Sequence, residues 1–227
     1  AALTSGSINT GLMMRNGQAP PPNLYQYVHG YIIPAPWNAV QPTSTASFVT
    51  TGIDKEVATV RTWNRANPTN RRGLRLRVTA GWNTPAWAIN LGGPAVRNCD
   101  PQGRCGYVPR WWTAPVQQAY QAFVAKLAAY VNPIPEIREV TEGLTVTEFG
   151  EMMVRHPNTG NNAAAYAAGG YTEALDIAAM EKQVDDATVF TATNQMDVAA
   201  YESPKGQDMS ISKQIMDYAV STQPGRV

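Results

Sequence analysis

Apolar positions along this chain switch between two periods. Stretches of period two are separated by stretches of period 3.6, the pattern of strands alternating with helices. "SINTGLMMR" predicts a short first strand over 7–15, stopped by "APPPN" at 19–23. "LYQYVHGYIIPAPW" is β-branched and aromatic, and predicts a buried strand over 24–37. Ile53, Val57, Val60 and Trp63 then fall at helical spacing, predicting a helix over 52–66 that Asn67-Pro68 ends.

"GLRLRVTAGW" predicts a strand over 73–82, with Arg75 and Arg77 alternating with Leu and Val. A long irregular loop follows at 83–112, rich in Gly, Pro and Trp, and loops of that length are usually functional. Val116, Tyr120, Phe123, Val124, Leu127 and Tyr130 form the apolar face of a helix over 114–131. A strand is predicted over 137–147 and a second long loop over 152–170. A helix over 172–187 takes Thr172 as its N-cap. A strand over 188–198 and a helix over 210–222, with Asp208 as its cap, complete the pattern. "PGRV" reads as the first residues of one more strand.

Strands alternating with helices, in units longer than about 30 residues, are the signature of parallel βα repeats. The long loops fall mostly after strands, where (β/α)8 barrels build their sites. A doubly wound sheet suits the same alternation, but no glycine-rich turn opens a helix directly after a strand. The expectation is one α/β domain over 1–227, of (β/α)8 TIM-barrel type. About six strands are counted, so the barrel is expected to be incomplete at the C-terminus, with further chain or a subunit completing it.

Composition narrows the partners. With 18 basic and 17 acidic residues the net charge is +1, which calls for neither nucleic acid nor an anionic membrane. No apolar run reaches the length of a membrane span. Charged residues are only 15% of the chain, while there are six Trp and ten Tyr, a balance common in secreted carbohydrate-active proteins. Cys99 and Cys105 flank "DPQGR", a loop able to bring two sulfurs together. A disulfide there points to a secreted, extracellular or periplasmic protein. Two cysteines with only His29 and His156 elsewhere lack zinc-ligand spacing, so neither metal nor cofactor is expected.

The acidic chemistry concentrates in "EVTEGLTVTEFGEMMVRH", which holds Glu139, Glu142, Glu148 and Glu151. Glu142 is expected to balance Arg75 and Arg77 on the neighbouring strand, and Glu139 to be a solvated or a strand-start charge. His29 reads as a hydrogen-bonded core residue, and His156 is open. Trp111 and Trp112 read as packing residues ahead of a helix.

Three stretches in order carry a family resemblance. "GYIIPAPWNAVQPT", "LRLRVTAGWNTPAWAINLGG" and "YVPRWWTAPVQQAYQAFVAKLAAYV" resemble successive units of (β/α)8-barrel glycoside hydrolases of the β-galactosidase and cellulase type. The resemblance covers roughly 25–155. It implies a retaining mechanism, in which two carboxyls about 5–5.5 Å apart act as acid/base and nucleophile. The acid/base is implied at the end of the fourth strand, where Glu148 and Glu151 are both candidates. The family carries Asn before that Glu; Thr147 stands there in this chain. The nucleophile is implied on a seventh strand, beyond this chain. Trp37, Trp82 and Trp87 become candidate sugar platforms, and Asn194 and Asp197 candidate substrate contacts. The alternative is a non-catalytic, barrel-like carbohydrate-binding or structural protein that kept the fold and lost the chemistry.

Overall fold

A computed structural model describes residues 11–15, 21–45, 47–145, 159–191, 193–194, 202–203 and 206–226. Strand β1 (Leu12–Arg15) opens the described chain, and β2 (Val28–Pro36) follows a 3₁₀ turn at Pro22–Tyr27. Next come a single turn, α1 (Trp37–Val40), and the first long helix, α2 (Thr51–Ala66). Strand β3 (Gly73–Thr79) leads into a small hairpin, β4 (Val96–Cys99) and β5 (Cys105–Val108). Helix α3 (Ala114–Val131) precedes β6 (Ile137–Gly143). Then follow α4 (Asn162–Ala168), α5 (Glu173–Asp186) and β7 (Thr193–Asn194). A two-residue pair, β8 (Glu202–Ser203) with β9 (Gly206–Gln207), and α6 (Met209–Thr222) close the chain.

The main sheet has five strands in the order β1-β2-β3-β6-β7, and every neighbouring pair is parallel. Spatial order follows chain order, whereas a doubly wound sheet reverses direction at a switch point. Right-handed crossovers in an unreversed order place all connecting helices on one face. The fold is therefore α/β with a parallel sheet alternating with helices; closure into a barrel is not part of what the described strands form.

Alternation within each strand separates two faces. Tyr31, Ile33 and Ala35 of β2, with Leu74, Leu76 and Val78 of β3, point into the core under α2 and α3. They meet Ile53, Val57 and Val60 of α2 and Val116, Tyr120, Phe123 and Leu127 of α3. Arg75 and Arg77 therefore point to the opposite face. There Arg75 Nε donates to Glu139 Oε2 at 2.7 Å, across the β3–β6 pair. Glu139 is buried and ion-paired, which corrects its reading as a solvated charge. The register explains this. Arg75 faces Glu139, and Glu142 faces Val78 on the helix side, so Glu142 does not balance the strand arginines.

The amino edge of the sheet is closed around Arg72, which is 2% exposed. Its guanidinium lies 3.4 Å from the Trp63 ring centroid and donates to the Tyr31 hydroxyl. Asn64 of α2 clasps the Arg72 backbone, accepting from its N–H at 2.7 Å and donating to its carbonyl at 3.0 Å. Tyr25 stacks on Trp63 with its centroid 6.1 Å away. Tyr25 thus covers Arg72, and β2 begins only at Val28. Pro22, at the start of the 3₁₀ turn, supplies the fixed φ that favours it over a longer strand.

Other boundaries moved for local reasons. Gly81 takes φ +55, a left-handed turn that ends β3 before Trp82. The loop at 83–112 contains the β4–β5 hairpin, whose tip is pinned by Asp100 Oδ1 accepting from the Gln102 and Arg104 N–H groups. The 3₁₀ turn Ala187–Val189 displaces the start of the predicted 188–198 strand, leaving β7 as its described part. "PGRV" does not begin a strand through its described residues. Gly225 turns at φ +77, and Arg226 donates to the Phe190 carbonyl, fastening the end of α6 to the chain before β7. Helix α5 starts where Thr172 accepts from the Leu175 N–H at 3.2 Å, and α6 where Asp208 caps Ser210. No helix among the described residues is long and apolar enough to cross a membrane.

The Arg75–Glu139 pair is largely buried, so removing one member is costly. Arg75→Met is expected to lower unfolding free energy by about 3 kcal/mol, and adding Glu139→Gln to recover part of that loss. Urea unfolding of the two single variants and the double variant checks this. Strictly additive losses would contradict it.

Candidate functional site

In open parallel sheets the chemistry gathers outside the carboxyl ends of the strands. Here that edge is formed by the residues after β2, β3 and β6. After β2 the chain turns into α1, and Trp37 drops into the core at 0% exposure. Its indole N–H donates to Gln41 Oε1 at 3.0 Å. Trp87, Tyr120 and Phe123 surround its ring, with centroids 5.4–5.6 Å away. A sugar platform needs an open ring face, and Trp37 has none; it is a core residue.

After β3 the 3₁₀ turn Gly81–Asn83 carries Trp82 to the edge. Trp82 is half-buried and lies flat against the hairpin at Gly106, where a Cβ would come within 3.3 Å of the ring. Asn83 Nδ2 donates to Thr79 Oγ1 at 3.1 Å, fixing the turn on the last residue of β3. Trp87 is half-buried too, and donates to the Gln41 carbonyl at 3.2 Å. Trp82 Nε1 and Thr84 Oγ1 are buried with no hydrogen-bond partner among the described residues. Trp82, Trp87 and Thr84 are thus the polar and aromatic groups that this loop brings to the edge.

The loops after β3 and β6 interlock. Asn162, at the start of α4, accepts from the Cys99 N–H at 2.9 Å and donates to the Cys99 carbonyl at 2.8 Å. Cys99 and Cys105 are disulfide-bonded across the hairpin. Trp111 donates to Asp176 Oδ1 and Tyr171 to Asp176 Oδ2, each at 2.8 Å. Trp111, Trp112, Tyr166 and Tyr171 pack together in this seam, so both tryptophans of the "WW" pair are packing residues. Gln183 of α5 accepts from the Leu144 N–H at 2.6 Å, just past the end of β6. The result is a braced wall beside the carboxyl edge, built from two loops the periodicity reads as irregular.

Beyond Thr145 the chain enters 146–158, which holds Glu148, Glu151 and His156 and lies outside the described residues. Asp197 lies outside them as well. Asn194 ends the described part of β7, paired with Val140 of β6, with nothing described of its side chain. His29 is half-buried near the amino end of β2, at the far edge from these groups. No group of three or more metal-ligating side chains occurs among the described residues.

Glu142, expected beside the strand arginines, lies on the other face of the sheet and is strongly perturbed there. Burial pushes its carboxyl up to about 8, the Asp186 charge adds to the rise, and Tyr120 and Lys182 oppose it. Both Glu142 oxygens are buried without a hydrogen-bond partner among the described residues. Asp186 is also raised by burial, against Lys182 and Gln121, which hold it from α5 and α3. A raised carboxyl in a cleft is a functional signal. Glu142 is instead sealed between β6, α3 and α5, where it is a buried neutral acid of the core.

No family model matches the chain, and no curated protein matches it.

The Glu142 burial has a signed consequence. The carboxyl keeps its proton to about pH 8 when folded, against a value of 4.5 in the absence of its surroundings. The folded state therefore binds more protons between these limits, and stability falls as pH rises through them. The contribution is fully present below the lower limit and lost above the upper one, at up to about 1.4 kcal/mol per pH unit. Asp186 acts in the same direction. Urea unfolding followed from about pH 5 to about pH 8 is expected to show this slope, and Glu142→Gln to flatten it. An unchanged slope in the variant would refute the assignment.

Proposed function

We propose that this chain is a glycoside hydrolase domain. It binds an oligosaccharide across the carboxyl edge of its parallel sheet and cleaves a glycosidic bond by a two-carboxylate retaining mechanism. The observation that supports the reading most is the unreversed strand order β1-β2-β3-β6-β7, with the longest loops at the carboxyl edge. Trp82 and Trp87 support it from the loop after β3, each half-buried. Strand β6 runs directly into the segment holding Glu148 and Glu151, the position that suits an acid/base in such a sheet.

One of these two glutamates protonates the leaving glycosidic oxygen as the bond breaks. A second carboxylate, which we assign to no residue of this chain, attacks the anomeric carbon from the opposite face. The first group then takes a proton from the water that releases the sugar. The disulfide fits an oxidising, extracellular setting for a polysaccharide substrate.

The test is hydrolysis of 4-nitrophenyl β-galactoside and β-glucoside, alongside Trp fluorescence titration with soluble oligosaccharides. Release of nitrophenol is expected, with either Glu148→Gln or Glu151→Gln lowering kcat by about 10²–10⁴-fold while the other changes it little. Binding without hydrolysis would replace the hydrolase with a carbohydrate-binding domain. Neither binding nor hydrolysis would sink both readings.

A further inference from the structure

The β4–β5 hairpin sorts its side chains by face. Val96, Asn98 and Val108 turn inward and are buried. Arg97, Cys105 and Tyr107 turn outward and are exposed. Cys99 pairs with Cys105 across the hairpin on that same face, yet the two halves of the disulfide differ in exposure. Cys99 is only 8% exposed, and Asn162 holds its backbone from both sides. Cys105 lies on the open face, and Arg97 Nη2 sits 2.9 Å from its sulfur.

The charges around this sulfur are few. Arg104 is largely exposed but is paired with Asp100, so the two nearly cancel. Arg97 makes no ion pair among the described residues. A guanidinium at this distance attracts an incoming anion and stabilises the negative charge spread over the sulfurs during exchange. Exchange rates depend on access to the sulfur attacked, and access favours Cys105 here.

We propose that Cys105 is a thiol–disulfide exchange site for small anionic thiols. The incoming thiolate attacks Cys105 Sγ and forms a new S–S bond with it. The Cys99–Cys105 bond breaks, and its electron pair leaves on Cys99 Sγ, which takes a proton from solvent. The incoming thiol is oxidised and Cys99 is reduced, so no further oxidant is needed. Asn162 keeps the freed Cys99 beside the hairpin, so its thiolate can expel the adduct and restore the bond. The site rests on the hairpin and its clasp by Asn162, and is independent of the hydrolase reading.

The experiment exposes the folded protein to three thiols: anionic 2-mercaptoethanesulfonate, neutral 2-mercaptoethanol and cationic cysteamine. Reactions are quenched early with iodoacetamide, and peptides are read by mass. Rates are compared per thiolate, with urea-unfolded protein as the control for reactivity. The expected result is an adduct on Cys105 with alkylation on Cys99, formed several-fold faster by the anionic than by the cationic thiol. Arg97→Gln, at an exposed position, is expected to erase that order, as is raised salt, which screens exposed charges. Adducts mainly on Cys99, an order unchanged in Arg97→Gln, or reaction only in the unfolded control would each overturn the proposal.

Discussion

The pairing of β3 with β6 is the constraint on which the rest of this molecule depends. Its register places Arg75 opposite Glu139 on one face and Val78 beside Glu142 on the other. One face is thereby given an ion pair, and the other an apolar layer into which α2 and α3 pack. A one-residue slip would turn Arg75 and Arg77 into that layer and expose Leu74, Leu76 and Val78. Burying two guanidinium groups among those apolar side chains, with Arg75 parted from Glu139, costs more than the slip could regain. The register is thus enforced by charge as much as by hydrophobic burial.

That enforcement carries to both edges of the sheet. At the amino edge, Arg72 directly precedes β3 and is held between Trp63 and Tyr31, which ties α2 and β2 to the same strand. At the carboxyl edge, Thr79 ends β3 and holds Asn83, which sets the turn that presents Trp82. The hairpin then rests on Trp82 through Gly106 and reaches α4 through Asn162. A chain of contacts therefore links the central strand to the wall beside the candidate site.

Much of this was legible in the sequence, for identifiable reasons. Helices α2 and α3 declare themselves because their apolar residues recur at helical spacing and the pairs Asn67-Pro68 and Asn132-Pro133 stop them. Thr172 and Asp208 mark helix starts through their side-chain oxygens. The alternation of Arg with Leu and Val in β3 is readable, but the partner of each arginine is not. Choosing Glu139 over Glu142 requires the bulge at the start of the β3–β6 pair, which no local pattern encodes. The hairpin was hidden because four-residue strands carry too little periodicity; the turn residues Asp100 and Gly103 between the cysteines were the available signal. Trp37 shows a further limit. A tryptophan at a strand end reads alike whether it lines a site or fills the core, and only the arrangement of Trp87, Tyr120 and Phe123 around it decides. The unreversed strand order is likewise a property of the folded sheet, since singly and doubly wound sheets share one alternation of elements.

The central claim is that the carboxyl edge, between the loops after β3 and β6, is the working surface of this α/β fold. Hydrogen exchange with and without a saturating soluble oligosaccharide tests it most directly. Slower exchange is expected in peptides covering 80–91 and 144–151, with the amino-edge peptides around 70–73 and 132–136 unchanged. Protection confined to the amino edge, or to the outer faces of α2 and α3, would contradict it.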